Sequence, residues 1–213
     1  MGKIRARTED ELAARKNEIL KAAEELLMKE SYAAITLATI AEKTSISRTS
    51  MYTYYETKEQ VMVDLMIREY QTMAGELLSS RTKRMNREAF CARLSELLWN
   101  HQTLLKLLSL QLPVWDRNYS DEMLEYFVQC SASYMRALDS VLAFHFPNTD
   151  EREKNIFKIQ FSIYCNALYE TRNLPYSQMK AMEEHAYFST IPEPQIICRD
   201  GLMLLSAVLE SHT

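Results

Sequence analysis

Apolar residues recur at three- and four-residue intervals along most of the chain, the spacing of helices with one buried face. Leu12, Ile19, Ala22, Ala23, Leu26 and Leu27 form one such stripe and predict a first helix over about 9–30. Thr8 and Glu11 stand at capping-box spacing, with acids in the first turn. Residues 31–35 read as a connection with Tyr32 and Ile35 buried. Thr36 suits the N-cap of a short helix to Lys43, with Leu37, Ile40 and Ala41 inward. Ser47 caps the next helix, about 48–54. Thr57 and Gln60 form a further capping box and open a long helix to about Ser79 on Val61, Met62, Leu65 and Met66.

The same period continues. A basic connector at 81–86 leads into a helix over about 87–99, carrying Phe90, Leu94, Leu97 and Leu98. A helix over 101–111 is expected to end at Pro113, followed by a loop from Asp116 to Ser120. Phe127, Cys130, Tyr134, Ala137 and Val141 predict a helix over 121–145, closed by Pro147 and Asn148. Thr149 or Asp150 caps a helix over 151–172 with Ile156, Ile159, Ile163 and Ala167 on one face. Phe157, Phe161, Tyr164 and Leu168 lie beside that face, so its apolar arc is wide. Pro175 is a break, one short helix fits within 176–190, and Pro192 and Pro194 introduce a last helix over about 194–210.

Only 3 glycines and 5 prolines punctuate 213 residues, so the chain reads as all-α with few tight turns. The net charge of −4 excludes a basic nucleic-acid coat, and any DNA footprint must be local. Lys3, Arg5 and Arg7 offer a short basic arm over 1–8, or merely an incidentally charged terminus. Cys91, Cys130, Cys165 and Cys198 lie more than 30 residues apart, without metal spacing or a secretory signal. They read as reduced core residues of a cytoplasmic protein, with redox sensing the rarer alternative. No apolar run reaches the ~20 residues needed to span a membrane.

Chemistry concentrates at 36–58. Two short helices are joined by a three-residue turn, and the second carries small polar residues and tyrosines where most helices carry Leu, Glu and Lys. A helix that lies in a DNA groove needs this composition, because bulky side chains would hold it off the base edges. Ser47, Thr49 and Ser50 are small; Arg48 can reach a guanine or a phosphate; Thr36, Tyr52, Tyr54 and Lys58 can donate to phosphates. Met51 and Tyr55, four apart, are expected to pack inward. An ordinary helical hairpin with solvated hydroxyls would share the pattern.

Residues 8–65 resemble the N-terminal domain of the TetR family of transcriptional regulators. The resemblance is carried by Ile19-Leu20, Ala22-Ala23, Thr36, Ile40-Ala41-Glu42, Ser47, Met51-Tyr52, Tyr54-Tyr55 and Lys58-Glu59. It implies a fold of two parts: a helix-turn-helix DNA-binding domain over 1–56, with its recognition helix at about 47–54, and a larger helical dimerisation and effector domain over 57–213. It assigns base reading to Arg48, Thr49, Ser50 and Thr53, and phosphate anchoring to Thr36, Tyr52, Tyr54 and Lys58. Two positions depart from the family pattern. Ser45 stands where the turn usually has Gly, and a left-handed backbone there would cost about 1–2 kcal/mol. Tyr55 replaces the usual Phe, so its hydroxyl needs a partner or water.

Family members are similar in dimerising through their last two long helices. The sequence gives separate support. Ile197, Gly201, Leu204 and Val208 share one face of the last helix, and Cys198, Leu202, Leu205 and Leu209 the adjacent one. So broad an arc must bury against more than one surface. Ile156 and Ile163 would join the dimer interface. Gly201 in mid-helix suggests close helix–helix approach. The alternative is that both are plain core helices.

The resemblance also implies a small apolar or amphipathic effector, with candidate lining from Trp99, Gln102, Trp115, Tyr126, Cys130, Tyr134, Tyr164 and Tyr169. It implies a homodimer on a palindromic operator, repression by default, and no resident cofactor or metal. An enzyme is disfavoured: His101, His145, His185 and His212 are scattered, and no glycine-rich phosphate loop exists. The remaining alternative is a helical interaction protein of this fold that does not read DNA.

Overall fold

The computed structural model describes residues 9–118, 120–172, 176–185 and 193–210, and their side chains except at 111–118, 171, 172, 176 and 210. Ten α-helices run in order among them: α1 Glu9–Lys29, α2 Leu37–Ala41, α3 Arg48–Met51, α4 Lys58–Ser79, α5 Arg87–Asn100, α6 Gln102–Asn118, α7 Asp121–His145, α8 Glu151–Arg172, α9 Tyr176–Glu184 and α10 Pro194–Leu205. Short 3₁₀ turns cover Tyr32–Ala34 and Ser206–Glu210. No strand occurs among the described residues.

The chain divides into two compact units. One runs to Arg68 and takes in Asn118–Val128; the other holds Glu69–Arg117 and the chain from Gln129. The expected division was at residue 56. The first turns of α4 belong to the N-terminal unit because Val61, Met62 and Leu65 are buried there.

In the N-terminal unit, Ile19, Ala23 and Leu27 of α1 and Ile35, Ile40, Met51 and Val61 are all at most 1% exposed and make up its core. Helices of five and four residues cannot persist alone, so α2 and α3 depend on this core and on their caps. Thr36 accepts from the Thr39 N–H at 3.1 Å, and the Thr39 hydroxyl oxygen accepts from the Thr36 N–H at 2.9 Å. Thr39 thus does what Glu or Gln does in the usual capping box. Ser47 accepts from the Ser50 N–H at 3.2 Å. Regular helix stops at Met51 rather than 54, and 52–54 continue as turns bonded back to Ser50 and Met51.

In the C-terminal unit, the broad arc of α8 separates into two stripes. Phe157, Phe161, Cys165 and Leu168 are buried. Ile159 and Ile163 on the other stripe are 63% and 65% exposed. In α10, Cys198 and Leu202 are buried and Leu204 is 79% exposed. Arg87 donates to the Met203 carbonyl at 3.1 Å, and Cys91 meets the Ser206 hydroxyl at 3.1 Å, so α5 is tied to the chain's last turns. Asp150 is the cap of α8, accepting from the Glu153 N–H at 2.7 Å; Thr149 instead donates to the Leu209 carbonyl at 2.5 Å.

Two boundaries differ from the periodicity. α6 does not end at Pro113 but continues to Asn118, so the loop expected from Asp116 does not begin there. A proline removes one donor and crowds the preceding turn, at about 3 kcal/mol. Buried Leu104, Leu105, Leu107 and Leu108 anchor the helix ahead of it. The last helix turns 3₁₀ after Leu205, where Ser206 is buried against α5. Pro175 and Pro192 lie outside the described residues.

Gly201 permits the α8–α10 approach. A Cβ there would stand 2.2 Å from the Tyr164 hydroxyl oxygen, which donates to the Ile197 carbonyl at 2.9 Å. Gly75, in α4, has nothing within 4 Å of the same position. The two glycines should therefore respond oppositely in chemical denaturation. Gly75→Ala is expected to raise stability by about 0.5–1 kcal/mol through helix propensity. Gly201→Ala should lower it by about 1–3 kcal/mol through overpacking.

His101 is the single residue between α5 and α6, and its imidazole is buried. Nδ1 lies 3.9 Å from Glu69 Oε2, and Nε2 lies 3.3 Å from Glu76 Oε1. The Glu69 carboxylate first, and Glu76 with it, raise the imidazole pKa above its ordinary value against the opposing effect of burial. A raised folded-state pKa contributes stability that is full below the unfolded value and is lost as pH rises through the folded one. Comparing wild type with His101→Gln in urea should show an advantage for wild type at pH 6 that shrinks by pH 8.5. A pH-independent difference would exclude the ion triad.

Candidate nucleic-acid interface

The candidate reading surface consists of the side chains that the caps and core leave outside. Thr36, Ser47, Arg48, Thr49, Tyr52 and Thr53 are exposed; Ser50, Tyr54 and Lys58 are half-buried. Met51 and Tyr55 are buried, as their spacing predicts. The Tyr52 ring is 64% exposed, a large apolar surface to leave in water unless it meets something.

Several of these groups have intramolecular partners. The Thr53 hydroxyl donates to the Ser50 carbonyl at 2.7 Å, and the Ser47 hydroxyl to Ser50 Oγ at 2.9 Å. Arg48 is ion-paired to Glu42. The Lys58 ammonium donates to the Tyr32 carbonyl at 2.9 Å and lies 4.2 Å from the Tyr32 ring centroid. An ammonium has three donors, so this anchoring still permits a phosphate contact. The Tyr32 hydroxyl donates to Glu59 at 3.2 Å, fixing the 31–35 connection to the start of α4.

Both residues that depart from the family pattern have hydrogen-bond partners. The Ser45 N–H donates to Glu18, and Arg15 donates to the Ser45 hydroxyl. The Ser45 amide is the main cause holding the Glu18 carboxyl below its ordinary pKa. The Tyr55 hydroxyl donates to Asp64 Oδ2 at 2.8 Å. Lys16 reaches the same oxygen at 3.4 Å, and Tyr126 donates to Oδ1 at 3.0 Å. Burial first, and the Asp64 charge second, push the Tyr55 phenol well above its ordinary pKa. Asp64, Lys16 and Glu18 were not among the residues singled out from sequence, and neither the Lys58 contact of Tyr32 nor the Arg48 pairing of Glu42 was foreseen. The Tyr55 hydroxyl signalled that a partner was needed, but not which one, because the chain turns between 55 and 64.

The eight candidate effector residues do not converge on one place. Tyr126 belongs to the N-terminal unit and lines a cavity of about 440 Å³ with Tyr54, Tyr55 and Asp64. Trp99 lines a groove of about 370 Å³ between α5 and α10 with Ser95, Ile196 and Arg199. Gln102 donates to the Trp99 carbonyl at 2.5 Å. Tyr134 is buried, its ring centroid 4.6 Å from that of Tyr70. Tyr164 bonds α10, Tyr169 lies under the Lys106 ammonium, and Cys130 is half-buried. The Trp115 side chain and the basic arm with Lys3, Arg5 and Arg7 lie outside the described residues.

Two family models match this chain. Bacterial regulatory proteins of the tetR family match residues 19–65, and the tetracyclin repressor-like C-terminal domain matches 65–207. The chain belongs to the TetR family. It is a DNA-binding transcriptional regulator with an N-terminal helix-turn-helix and a larger helical C-terminal part. No curated protein matches its sequence. Solved structures share the fold at low identity. A TetR-family transcriptional regulator from Mesorhizobium loti is 15% identical, with TM-score 0.62 over 95% of this chain and 98% of that one. The fatty acid degradation regulator FadR of Bacillus halodurans is 14% identical, with TM-score 0.59 over 90% and 94%. FadR of Thermus thermophilus, a TetR-family repressor solved with lauroyl-CoA, is 15% identical, with TM-score 0.54 over 93% and 97%. Among the described residues of the present TetR-family chain, no helix is long and apolar enough to cross a membrane.

The geometry separates the two neighbouring tyrosines. Tyr55→Phe removes a donor from a part-buried carboxylate and should cost about 1.5–3 kcal/mol in denaturant unfolding. Tyr52→Phe, at an exposed ring, should stay within about 0.5 kcal/mol of wild type.

Proposed function

We propose that this regulator binds a palindromic operator as a homodimer and acts as a repressor that a small apolar or amphipathic effector releases. The exposed apolar stripe of Ile159, Ile163 and Leu204 carries the dimer reading. Leaving three such side chains in water forgoes about 1.5–3 kcal/mol each, which a second copy of the same stripe would recover. Ile156, Ile197 and Val208, each half-buried, extend the stripe, and Gly201 lets α10 lie close to α8 behind it.

A dimer must present its two recognition helices about 34–36 Å apart to enter successive major grooves. α4 carries residues of both units. An effector that favours one position of this helix would change that spacing, and the coupling is reciprocal: DNA would weaken effector binding equally. The scattered aromatic candidates support an apolar ligand class without locating it. A protein of the same fold was solved with lauroyl-CoA, which makes acyl-CoA thioesters the first class to screen. The reading places the protein in the cytoplasm and includes no catalytic step.

Selection of random duplex DNA by the purified protein at about 150 mM salt should enrich a palindrome with half-sites one helical turn apart. Enrichment of nothing, with binding that vanishes as salt rises, would reduce the interaction to phosphate attraction. Against the selected duplex, Tyr52→Phe combined with Lys58→Ala should abolish binding while far-UV circular dichroism stays unchanged. Unaltered affinity would remove these two groups from the interface.

A further inference from the structure

We propose that Glu42 is a specificity-determining residue, holding Arg48 as a neutral pair that can read a base edge but gains nothing from a phosphate. This rests on the DNA-reading role of α3. The observation is the ion pair across the turn of the motif: Glu42 caps the C-terminus of α2, Arg48 opens α3, and the two side chains meet while 55% and 65% exposed.

The surroundings make the pair matter. Residues 36–58 contain three cations, Lys43, Arg48 and Lys58, and two carboxylates, Glu42 and Glu56. The Lys58 ammonium is held on the Tyr32 carbonyl and ring. Lys29 first, and Lys43 with it, hold the Glu25 carboxyl below its ordinary pKa, so Lys43 lies near that carboxylate. Arg48 is therefore the cation best placed on the recognition helix itself, and Glu42 cancels its charge.

The consequence differs for the two kinds of DNA acceptor. A phosphate is an anion and competes with Glu42 for the same guanidinium. Winning Arg48 exchanges one anion for another and leaves the Glu42 carboxylate facing the negative backbone. A guanine edge is neutral, with O6 and N7 as acceptors. Guanidinium has five N–H donors, and Glu42 engages it through one nitrogen. The other donors can serve the base while the pair stays intact. Glu42 thus subtracts from binding to arbitrary sequence, where phosphates supply the affinity, more than from binding to the operator.

The test compares wild type, Glu42→Gln, Arg48→Ala and the double variant on two duplexes: the one recovered by selection and a scrambled duplex of equal length. For Glu42→Gln on scrambled DNA, the slope of log K against log salt should steepen by about 0.9 per subunit. At about 150 mM salt that slope corresponds to roughly fivefold tighter binding per subunit engaged. Affinity for the selected duplex should rise less, so the specificity ratio falls. In the Arg48→Ala background the same change should do little. An unchanged slope overturns the proposal. So does an equal effect with and without Arg48, which would mean that removing any nearby negative charge suffices. Failure of wild type to prefer the selected duplex would overturn the DNA-reading assignment itself, and is distinct from either result.

Discussion

A single carboxylate holds the DNA-reading unit in register. Asp64 receives Tyr55 from just after the recognition helix, Lys16 from α1 and Tyr126 from α7, on a side chain only 15% exposed. A partly buried charge is tolerable only when its lone pairs are occupied, and here three donors occupy them. Tyr55 is the decisive one, because its buried ring and its bonded hydroxyl fix the backbone directly after Tyr52, Thr53 and Tyr54. Helices of five and four residues have no stability of their own to do so. The precision of the reading face is therefore borrowed from α1, α4 and the first turns of α7.

The sequence made the elements legible where periodicity and caps agreed. α1, α4, α5, α7 and α8 begin and end within a residue or two of where their stripes and capping residues put them. Thr36 and Ser47 were legible as caps because each is a small hydroxyl residue directly ahead of a short helical pattern. Pro113 misled because a proline's local cost is fixed while the burial that offsets it depends on leucines a turn or more upstream. The recognition helix was shorter than its pattern because a polar helix has no apolar face to hold its last turn. Only Met51 anchors it before the chain must turn toward α4.

The site was half legible. Which side chains face outward could be read from size and spacing, since Met51 and Tyr55 take the inward positions. The supporting charges could not, because Asp64, Glu18 and Glu42 meet their partners across turns, where no fixed period applies. The same holds in the C-terminal unit. Aromatic residues at helical spacing gave a list, while the fold distributes them among a tilted pair with Tyr70, a groove by α10 and the carboxylate in the other unit. Periodicity reports which face a residue occupies and is silent about which neighbour that face meets.

The contact between Tyr164 and Gly201 has a consequence for descent. The phenol occupies the volume that any larger residue at 201 would need, and it bonds a carbonyl exposed by the bare helix surface. Neither position can drift alone: a side chain at 201 is admissible once the ring at 164 has shrunk, and a shrunken ring leaves a gap that favours a side chain at 201. Descendants of this chain should therefore inherit the two positions as a unit. An exchange at one unaccompanied by the other would mark a lineage in which α8 and α10 had moved apart.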